Sequence, residues 1–175
     1  MWGSIAVVVG VVTLLLVVVV IAFLLGMRNK SPFVLRIVRR FNRAVVNPRQ
    51  LRTAGTPGAY ASVIRHVGRR SGRPYETPVG AFATEDGFVI ALPYGSDPDW
   101  LKNVMAAGTA TLVHEGSTHA VDRPELIATT AAAPYLPDKE VRNLSRFAVD
   151  QCLRLRIAGA ERASVLAAGA SGVAG

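Results

Sequence analysis

The sequence has few of the residues on which several common functions depend. Its single cysteine, Cys152, excludes an intramolecular disulfide and fits a reducing compartment. The three histidines, His66, His114 and His119, do not follow the spacing of a metal site, so ordinary strand positions are favoured for them. The chain also lacks Gly-x-Ser-x-Gly, Cys-His and P-loop motifs, which argues against hydrolase and kinase functions.

Acidic residues are absent from the first 75 positions, whereas lysine and arginine are frequent there. The net charge of +8 therefore arises in the N-terminal half, and the remainder of the chain is acidic overall. A local basic excess favours a membrane surface or a bound anion over general nucleic-acid binding. We find no helix-turn-helix, zinc-finger or RNA-binding signature, so nucleic acid is not a predicted partner.

The chain begins with a long apolar run. Residues Ile5–Leu25 carry no charge, and a helix of this length spans about 30 Å, the thickness of the hydrocarbon core. A cleaved signal peptide is the main alternative, but it needs a basic segment first, and the residues before Ile5 are uncharged. We predict a transmembrane anchor with its basic flank over residues 1–30. Since arginines follow it, the rest of the chain is expected on the cytoplasmic side.

The next segment, residues 31–58, predicts an amphipathic helix and a linker. Ser31 and Pro32 resemble an N-cap followed by proline at the first helical position. Apolar residues repeat on one helical face and arginines lie mostly elsewhere: Phe33, Val34, Ile37, Val38, Phe41 and Val45 against Arg36, Arg39, Arg40 and Arg43. The helix either lies on the anionic membrane leaflet or covers one end of the folded domain. We expect it to end at Asn47-Pro48, with residues 49–59 as the linker.

Short strands predominate in residues 59–158. The predicted strands are Tyr60–Val67, Thr77–Ala83, Phe88–Leu92, Thr109–His114, Ser117–Asp122 and Gln151–Ile157. The predicted helices are Asp99–Ala107, with Asp99 as N-cap and Gly108 as its stop, and Asp138–Val149. Mostly antiparallel strands with few helices indicate a mainly β (α+β) domain built as a small barrel. Residues 159–175 are mostly Ala, Gly and Ser and are predicted to form a flexible tail.

The central motif of the chain is Gly68–Val79, which reads Gly-Arg-Arg-Ser-Gly-Arg-Pro-Tyr-Glu-Thr-Pro-Val. It joins two predicted strands and places three arginines and a hydroxyl between two glycines. Guanidinium groups, the Ser71 hydroxyl and exposed backbone amides are all donors to anions. The motif predicts a β-hairpin whose tip, the basic turn of residues 68–73, binds phosphate or carboxylate. A solvated basic turn without a ligand is the alternative.

A second motif, Ala91–Asn103, ends a strand and enters the helix predicted at Asp99. Together the two motifs resemble the deazaflavin-dependent nitroreductase family, over about Tyr60 to Pro124. The resemblance implies an FMN-binding-like split β-barrel that binds coenzyme F-420, an 8-hydroxy-5-deazaflavin. It further implies hydride transfer to a quinone, a nitro compound or a similar small acceptor.

The resemblance also assigns the residues that hold the coenzyme. Arg69, Arg70 and Ser71 are expected at its phosphate or acidic tail. The segment along the coenzyme comprises Tyr75, Glu76, Thr77, Pro78, Val79 and Gly80. The strand end facing the deazaflavin ring comprises Ala91, Leu92, Pro93 and Tyr94, and the helix contributes Asp99, Trp100, Lys102 and Asn103. Trp100 as a core residue and Asn103 as a capping or surface residue are the alternatives.

Glu76 departs from the family pattern, since close relatives often carry arginine there. We expect it to pair with Arg69, Arg70 or Arg73 and to weaken the binding of an acidic coenzyme tail. Alternation along the strand leaves the opposite face open as the alternative. Donors near the acceptor oxygen would stabilise the charge that develops as hydride arrives, and Tyr94 and Tyr135 are the candidates.

These patterns predict a membrane-anchored oxidoreductase that uses the deazaflavin coenzyme. A non-catalytic barrel that binds lipid or another hydrophobic ligand is one alternative. A barrel that binds FMN instead is another, because a basic turn can hold any phosphate. The predicted partners are the small hydride acceptor and membrane lipid, and a homodimer is kept as an assembly state.

Overall fold

The computed structural model describes residues 2–29 and 31–159, so residues 160–175 of the predicted tail lie outside the described part. Helix α1, Trp2–Arg28, contains the predicted apolar run. Its segment Ile5–Arg28 has a mean hydropathy of 3.4 and is long and apolar enough to cross a bilayer.

Helix α2, Pro32–Phe41, continues into a π-helical turn at Asn42–Val46 and then into α3, Asn47–Gln50. The predicted stop at Asn47-Pro48 is therefore wrong. Proline ends an α-helix because it lacks an N–H donor and its ring meets the carbonyl four residues earlier. The wider π turn changes that spacing, and Pro48 then falls in the first turn of α3, where no N–H is needed.

Residues 49–59, predicted as a linker, are tied to the domain by backbone hydrogen bonds. The Gly116 N–H donates to the Gly55 carbonyl over 2.6 Å, and the Gly58 N–H donates to Glu115 Oε2 over 2.8 Å. Gly55 has φ 79° and Gly58 has φ 74°, a region that side chains disfavour. The glycines therefore serve a fixed turn rather than a loose connection.

Within residues 31–159, seven strands form one antiparallel sheet: β1 Ser62–Val67, β2 Pro74–Val79, β3 Ala81–Ala83, β4 Gly87–Ala91, β5 Thr109–His114, β6 Ser117–Ala128 and β7 Gln151–Ile157. Their spatial order is β2-β1-β5-β6-β7-β4-β3. The predicted mainly β barrel architecture is confirmed. The predicted strand 77–83 is divided at Gly80, and β6 extends beyond Asp122 because an irregularity between Asp122 and Glu125 shifts its register with β7.

The two edge strands of this sheet, β2 and β3, are separated in sequence only by Gly80. The sheet must curl for its opposite edges to be joined by one residue, which produces a half-barrel. The Ala91 N–H donates to the Gly80 carbonyl over 3.3 Å at this corner. A glycine here leaves space that a side chain would occupy.

Between β4 and residue 159, the described chain forms four helical segments: α4 Asp99–Ala107, α5 Thr129–Ala132, a 3-10 turn Ala133–Tyr135, and α6 Asp138–Arg146. Gly108, in the left-handed region at φ 70°, ends α4 as predicted. Pro98, rather than Asp99, occupies the N-cap of α4. Helix α6 ends before the predicted Val149, because Ala148 takes φ 50° and leaves the helical region.

The core of the half-barrel is filled by apolar side chains from the strands and from α4: Ile64, Val79, Ala81, Phe88, Ile90, Leu92, Leu101, Val104, Leu112, Val121, Leu153 and Leu155. Trp100 is partly buried and packs against this cluster. A second cluster under α5 and α6 includes Cys152. Helix α4 is thus fixed against the sheet, which places its N-terminal end beside the β1–β2 hairpin.

Candidate active site

The basic turn lies at the tip of the antiparallel hairpin of β1 and β2, which pair from Ser62 with Val79 to Val67 with Pro74. The predicted hairpin is therefore confirmed. A side chain at Gly68 would bring its Cβ within 2.5 Å of Ser71 Oγ and within 2.8 Å of the Tyr75 ring. Glycine at this position allows the turn to fold closely over its own backbone.

Asn103 joins the basic turn to α4. Its Oδ1 accepts hydrogen bonds from the Arg69 backbone N–H over 3.1 Å and from Arg69 Nη1 over 2.8 Å. The side chain is only 6% exposed, so these bonds are shielded from water and are costly to lose. Asn103 is therefore neither a helix cap nor a surface residue, because its side chain holds the basic turn in place.

His66 continues this network beneath the turn. Its Nδ1 lies 3.2 Å from Asn103 Nδ2, and its Nε2 lies 3.2 Å from Thr77 Oγ1. Because the Asn103 oxygen accepts from Arg69, its amide nitrogen donates to Nδ1, which makes the imidazole neutral with its proton on Nε2. Burial lowers the pKa of His66 and favours this neutral form.

The role of His66 was not found by sequence reasoning, which treated it as a strand residue. The ring also stacks on Tyr75, its cross-strand neighbour, with centroids 5.8 Å apart. Strand β1 exposes Arg65 and buries His66. The signal available in the sequence was the period-two alternation of a strand, which places His66 on the same face as the apolar Ile64 and opposite Arg65.

The three arginines of the basic turn differ in their partners. Arg69 Nη2 pairs with Asp99 Oδ1 over 3.1 Å, and the Arg69 side chain is 26% exposed. Arg70 and Arg73 are exposed, and within residues 2–29 and 31–159 neither forms an ion pair. Arg69 therefore fastens the turn to α4, whereas Arg70 and Arg73 remain available to an anion. Ser71 is exposed beside them, with Oγ 3.2 Å from the Tyr75 hydroxyl.

Glu76 does not pair with the basic turn, so that prediction is wrong. Its Oε1 lies 2.8 Å from Arg65 Nε, and the two residues are cross-strand partners. Successive side chains of a strand point to opposite faces, so Glu76 faces away from Thr77 and the His66 network. The structure agrees with the alternative prediction, in which Glu76 lies on the strand face opposite the basic turn's network.

Several predicted coenzyme residues contribute to the core. Val79 and Leu92 belong to the cluster inside the half-barrel, and Ala91 belongs to the second cluster. Their side chains pack inside the domain, so only their backbone atoms could contact a ligand. Pro93 is exposed and Pro78 is half-buried, so these two prolines border the surface at the strand ends.

Tyr94 follows β4 and lies near a second tyrosine that sequence reasoning missed. The Tyr60 hydroxyl donates to Glu140 at 3.2 and 3.3 Å from its two carboxylate oxygens. It also lies 3.5 Å from the position that a Cβ on Gly80 would take. Although 68% of Tyr60 is exposed, partial desolvation of the side chain and the Glu140 carboxylate raise the pKa of Tyr60 to about 12, with a smaller effect from Tyr94.

Tyr135, the other predicted donor, ends the 3-10 turn and is 41% exposed. Lys102, predicted at the coenzyme, forms an ion pair with Asp97. Asp97 also pairs with Arg39 of α2, with Nη1 and Oδ2 2.6 Å apart. Hydrogen bonds from Lys102 and Arg39 lower the pKa of Asp97, and the Arg69 hydrogen bond lowers that of Asp99.

A cavity of about 930 Å³ lies between α2 and residues 94–97. Its walls include Arg36, Arg39, Arg40, Arg43, Tyr94 and Asp97. We call this cavity the α2 groove. It borders the candidate site at Tyr94, and the sequence pattern indicated neither its position nor its volume.

Comparison with known families identifies this arrangement. The model of the F-420H(2)-dependent quinone reductase family matches residues 34–151, about two-thirds of the chain. The chain belongs to this family. The match includes α2, the basic turn and α4, and it confirms the resemblance based on the two sequence motifs. The protein is thus an oxidoreductase of the family that uses coenzyme F-420, and the family description names quinone as acceptor.

Solved structures show weaker likenesses. A protein of unknown function from Agrobacterium tumefaciens is 15% identical, with a TM-score of 0.43, covering 55% of this chain and 47% of its own. An F-420 reductase is 9% identical, with a TM-score of 0.40, covering 61% and 90%. An FMN-binding protein from Syntrophomonas wolfei is 17% identical, with a TM-score of 0.37, covering 70% and 92%. Comparison with curated proteins gives no match.

The residues of this quinone reductase family member fit an anionic coenzyme that carries a flat ring. Arg70 and Arg73 are exposed guanidinium donors beside the Ser71 hydroxyl, a donor set suited to phosphate. Tyr75 is 45% exposed and Trp100 is partly exposed, so aromatic surface is available nearby. These observations match an anion at the turn and a ring towards the strand ends.

Proposed function

We propose that the protein binds the deazaflavin coenzyme across the basic turn, β2 and the N-terminal end of α4, and reduces a quinone. This proposal rests on the different partners of the three turn arginines. Arg69 is held by Asn103 and Asp99, so the turn has its shape before any ligand arrives. Binding of an anion then requires the ordering of the Arg70 and Arg73 side chains but not of the turn backbone, which lowers the entropy cost.

When bound, the deazaflavin coenzyme supplies the hydride. The chain's own residues bind and orient. Arg70, Arg73 and Ser71 hold the anionic part, while Thr77 and Tyr75 line the approach along β2. Trp100 and Asn103 support this surface from α4, and Glu76 is left out because it faces Arg65.

On the acceptor side, Tyr94 is the proposed hydrogen-bond donor. Tyr60 takes a supporting role, because its single hydroxyl proton is donated to Glu140, and that bond helps to raise the pKa of Tyr60 to about 12. A protonated donor stabilises negative charge that develops on an acceptor oxygen. Tyr135 stays a candidate for the same role.

The finer part of the proposal concerns the membrane. A spanning α1 followed by arginines would keep the site on the cytoplasmic side and close to lipid-soluble quinone. We expect the full chain to fractionate with membranes and to resist extraction by alkaline carbonate. Release of the intact chain by carbonate would refute the spanning assignment.

The test of the coenzyme site is a fluorescence titration of the full chain, in a neutral detergent, with coenzyme F-420 and with FMN. We expect the deazaflavin coenzyme to bind more tightly. Arg70→Ala plus Arg73→Ala should weaken its binding by about 1.5–3 kcal/mol for each lost charge-assisted contact. Arg49→Ala plus Arg52→Ala removes the same charge from exposed positions outside the site and should leave affinity unchanged.

Equal coenzyme affinities of wild type and the turn variant would show that the basic turn is a solvated loop without a ligand. Tighter binding of FMN than of coenzyme F-420 would favour the FMN alternative. A barrel that stores a hydrophobic ligand inside is disfavoured, because the described interior of the half-barrel is filled by core side chains. Homodimerisation stays a prediction.

A further inference from the structure

The α2 groove is rich in cationic side chains. Arg36, Arg39, Arg40 and Arg43 all line it, and their spacing of three and four residues places them on neighbouring turns of one helical segment. Asp97 is the acidic residue on its wall. The groove therefore carries a net positive charge and suits an anionic ligand.

These arginines are unequally engaged. Arg39 pairs with Asp97 and donates from Nη2 to the Tyr94 carbonyl over 3.2 Å, and its buried Nε has no hydrogen-bond partner in the described part of the chain. Arg43 reaches Asp99 only at 3.5 Å. Within residues 2–29 and 31–159, neither Arg36 nor Arg40 forms an ion pair. Arg39 is therefore held in the wall of the groove, while the guanidinium groups of Arg36 and Arg40 are available to bind an anion.

The position of the groove relates it to the bilayer. Helix α2 begins four residues after α1 ends at Arg28. The two helices also pack together, since a Cβ on Gly26 would lie 2.5 Å from Val34 Cγ2. If α1 spans the membrane, as proposed above, α2 cannot lie far from the lipid head groups.

The side chains of α2 add a second, independent indication. Phe33, Ile37 and Phe41 are 68%, 51% and 56% exposed and follow a spacing of four residues, so they form one apolar stripe along the helix. Leu35 is only 7% exposed and faces the domain instead. Exposed apolar residues beside arginines are characteristic of a helix that lies in a membrane interface.

We propose that the α2 groove binds the phosphate of an anionic lipid head group, with the lipid's acyl chains beside the Phe33-Ile37-Phe41 stripe. The inference rests on the spanning α1 of the proposed function. The stripe distinguishes a lipid from a free phosphate, which would make no use of it. The coenzyme anion has its own proposed donors, Arg70 and Arg73, outside the lining of the groove.

The test uses the full chain in neutral-detergent micelles. Calorimetric titrations compare dihexanoyl phosphatidylglycerol, dihexanoyl phosphatidylcholine and inorganic phosphate. We expect the anionic lipid to bind at least about tenfold more tightly than the other two, because only it combines charge with apolar contact. Equal binding of inorganic phosphate would overturn the lipid assignment, as would equal binding of the zwitterionic lipid.

Arg36→Gln plus Arg40→Gln should weaken binding of the anionic lipid by at least about tenfold, since each arginine near an anionic membrane surface adds to the attraction. The matched control, Arg49→Gln plus Arg52→Gln, removes two exposed charges outside the groove and should leave that affinity unchanged. Both variants should keep the unfolding temperature of wild type. The same loss in both variants, or no loss in the first, would overturn the proposal.

Coenzyme titration of the same variants separates this inference from the proposed function. We expect Arg36→Gln plus Arg40→Gln to leave deazaflavin affinity unchanged. A parallel loss of coenzyme and lipid binding would assign the groove to the coenzyme and overturn the lipid site. If wild type binds the anionic lipid as described but binds no deazaflavin coenzyme, the proposed function fails and the lipid site stands.

Discussion

The basic turn and the α2 groove are two arginine clusters of similar density with different supports. In the turn, Arg69 pairs with Asp99 at the start of α4 over 3.1 Å. In the groove, Arg39 pairs with Asp97 just before α4 over 2.6 Å, and Arg43 makes a longer contact with Asp99 over 3.5 Å. The other arginines of each cluster are left with spare donors. In both clusters some arginines are held by acidic partners and others keep unpaired donors, and only the folded structure distinguishes the two kinds.

The supports differ in burial. The basic turn rests on Asn103 and His66, which are 6% and 7% exposed. The groove is held through Asp97, whose side chain is 62% exposed. Buried hydrogen bonds are costly to break, whereas exposed ion pairs contribute little. The turn is consequently preorganised, while the groove can adjust to its ligand.

The two clusters meet at Asp99. This carboxylate contacts Arg69 of the turn at 3.1 Å and Arg43 of the groove at 3.5 Å. A change in either cluster therefore has a physical route to the other.

The largest effect is expected for Asn103→Ala. It leaves the Arg69 backbone N–H and His66 Nδ1 without their buried partner, and should lower the free energy of unfolding by about 2–4 kcal/mol. Chemical denaturation of the full chain measures this. Met105→Ala, on the exposed side of the same helix, is the control, and a loss no larger than the control's would contradict the buried-support argument.

Removing the committed arginine of each cluster should have unequal effects. Arg69→Met loses bonds to Asn103 and Asp99 and should cost about 1–3 kcal/mol of stability. Arg39→Met should cost less, because it also removes the buried Nε that has no partner in the described residues. Unfolding free energies of the two variants decide the comparison, and a greater loss for Arg39→Met would reverse it.

As the pH falls, the basic turn should lose its stabilising interactions at a higher pH than the α2 groove. Burial lowers the pKa of His66 from 6.5, so below that pH the unfolded chain binds the proton first and stability falls. Asp97 and Asp99 have pKa values below 3.8, and their stabilising contribution is lost only as the pH falls through those lower values. The free energy of unfolding of the wild type should fall as the pH is lowered from about 7 to 5. His66→Gln should show a smaller fall, and the same pH dependence in variant and wild type would contradict the role of His66.

The smallest effect is expected for Glu76→Gln. Because Glu76 pairs with Arg65 on the opposite strand face, coenzyme affinity should be the same in variant and wild type at low and high salt. Stability should change by less than about 1 kcal/mol, as is usual for exposed pairs. Tighter coenzyme binding at low salt alone would show that the carboxylate acts on the coenzyme's acidic part.

Local patterns predicted much of the fold. Strands β5 and β7 have the predicted bounds, because a polar turn and alternating apolar residues are both local signals. Helix α4 also has its predicted bounds, since Gly108 supplies the left-handed stop. The failure at Pro48 has an equally local cause, a π turn that the residue pattern does not reveal.

The candidate site was predicted less completely. The basic turn and Asn103 were found because their motif is contiguous in sequence and resembles a known family. His66 and Tyr60 were not predicted as part of the candidate site, since their partners Asn103 and Glu140 are distant in sequence. These hydrogen bonds follow from the packing of α4 and α6 beside the first strand rather than from any local pattern.

The sequence by itself determined the apolar helix, the basic hairpin tip and the family, because each depends on residue type and near-neighbour spacing. Tertiary structure alone decided which arginines are fastened and which remain for ligands. It also decided that Glu76 faces Arg65 and that an arginine-lined groove opens beside Tyr94. The physical reason is that charge and hydrogen-bonding capacity are properties of a residue, whereas their satisfaction depends on partners that only the folded chain brings within about 3 Å.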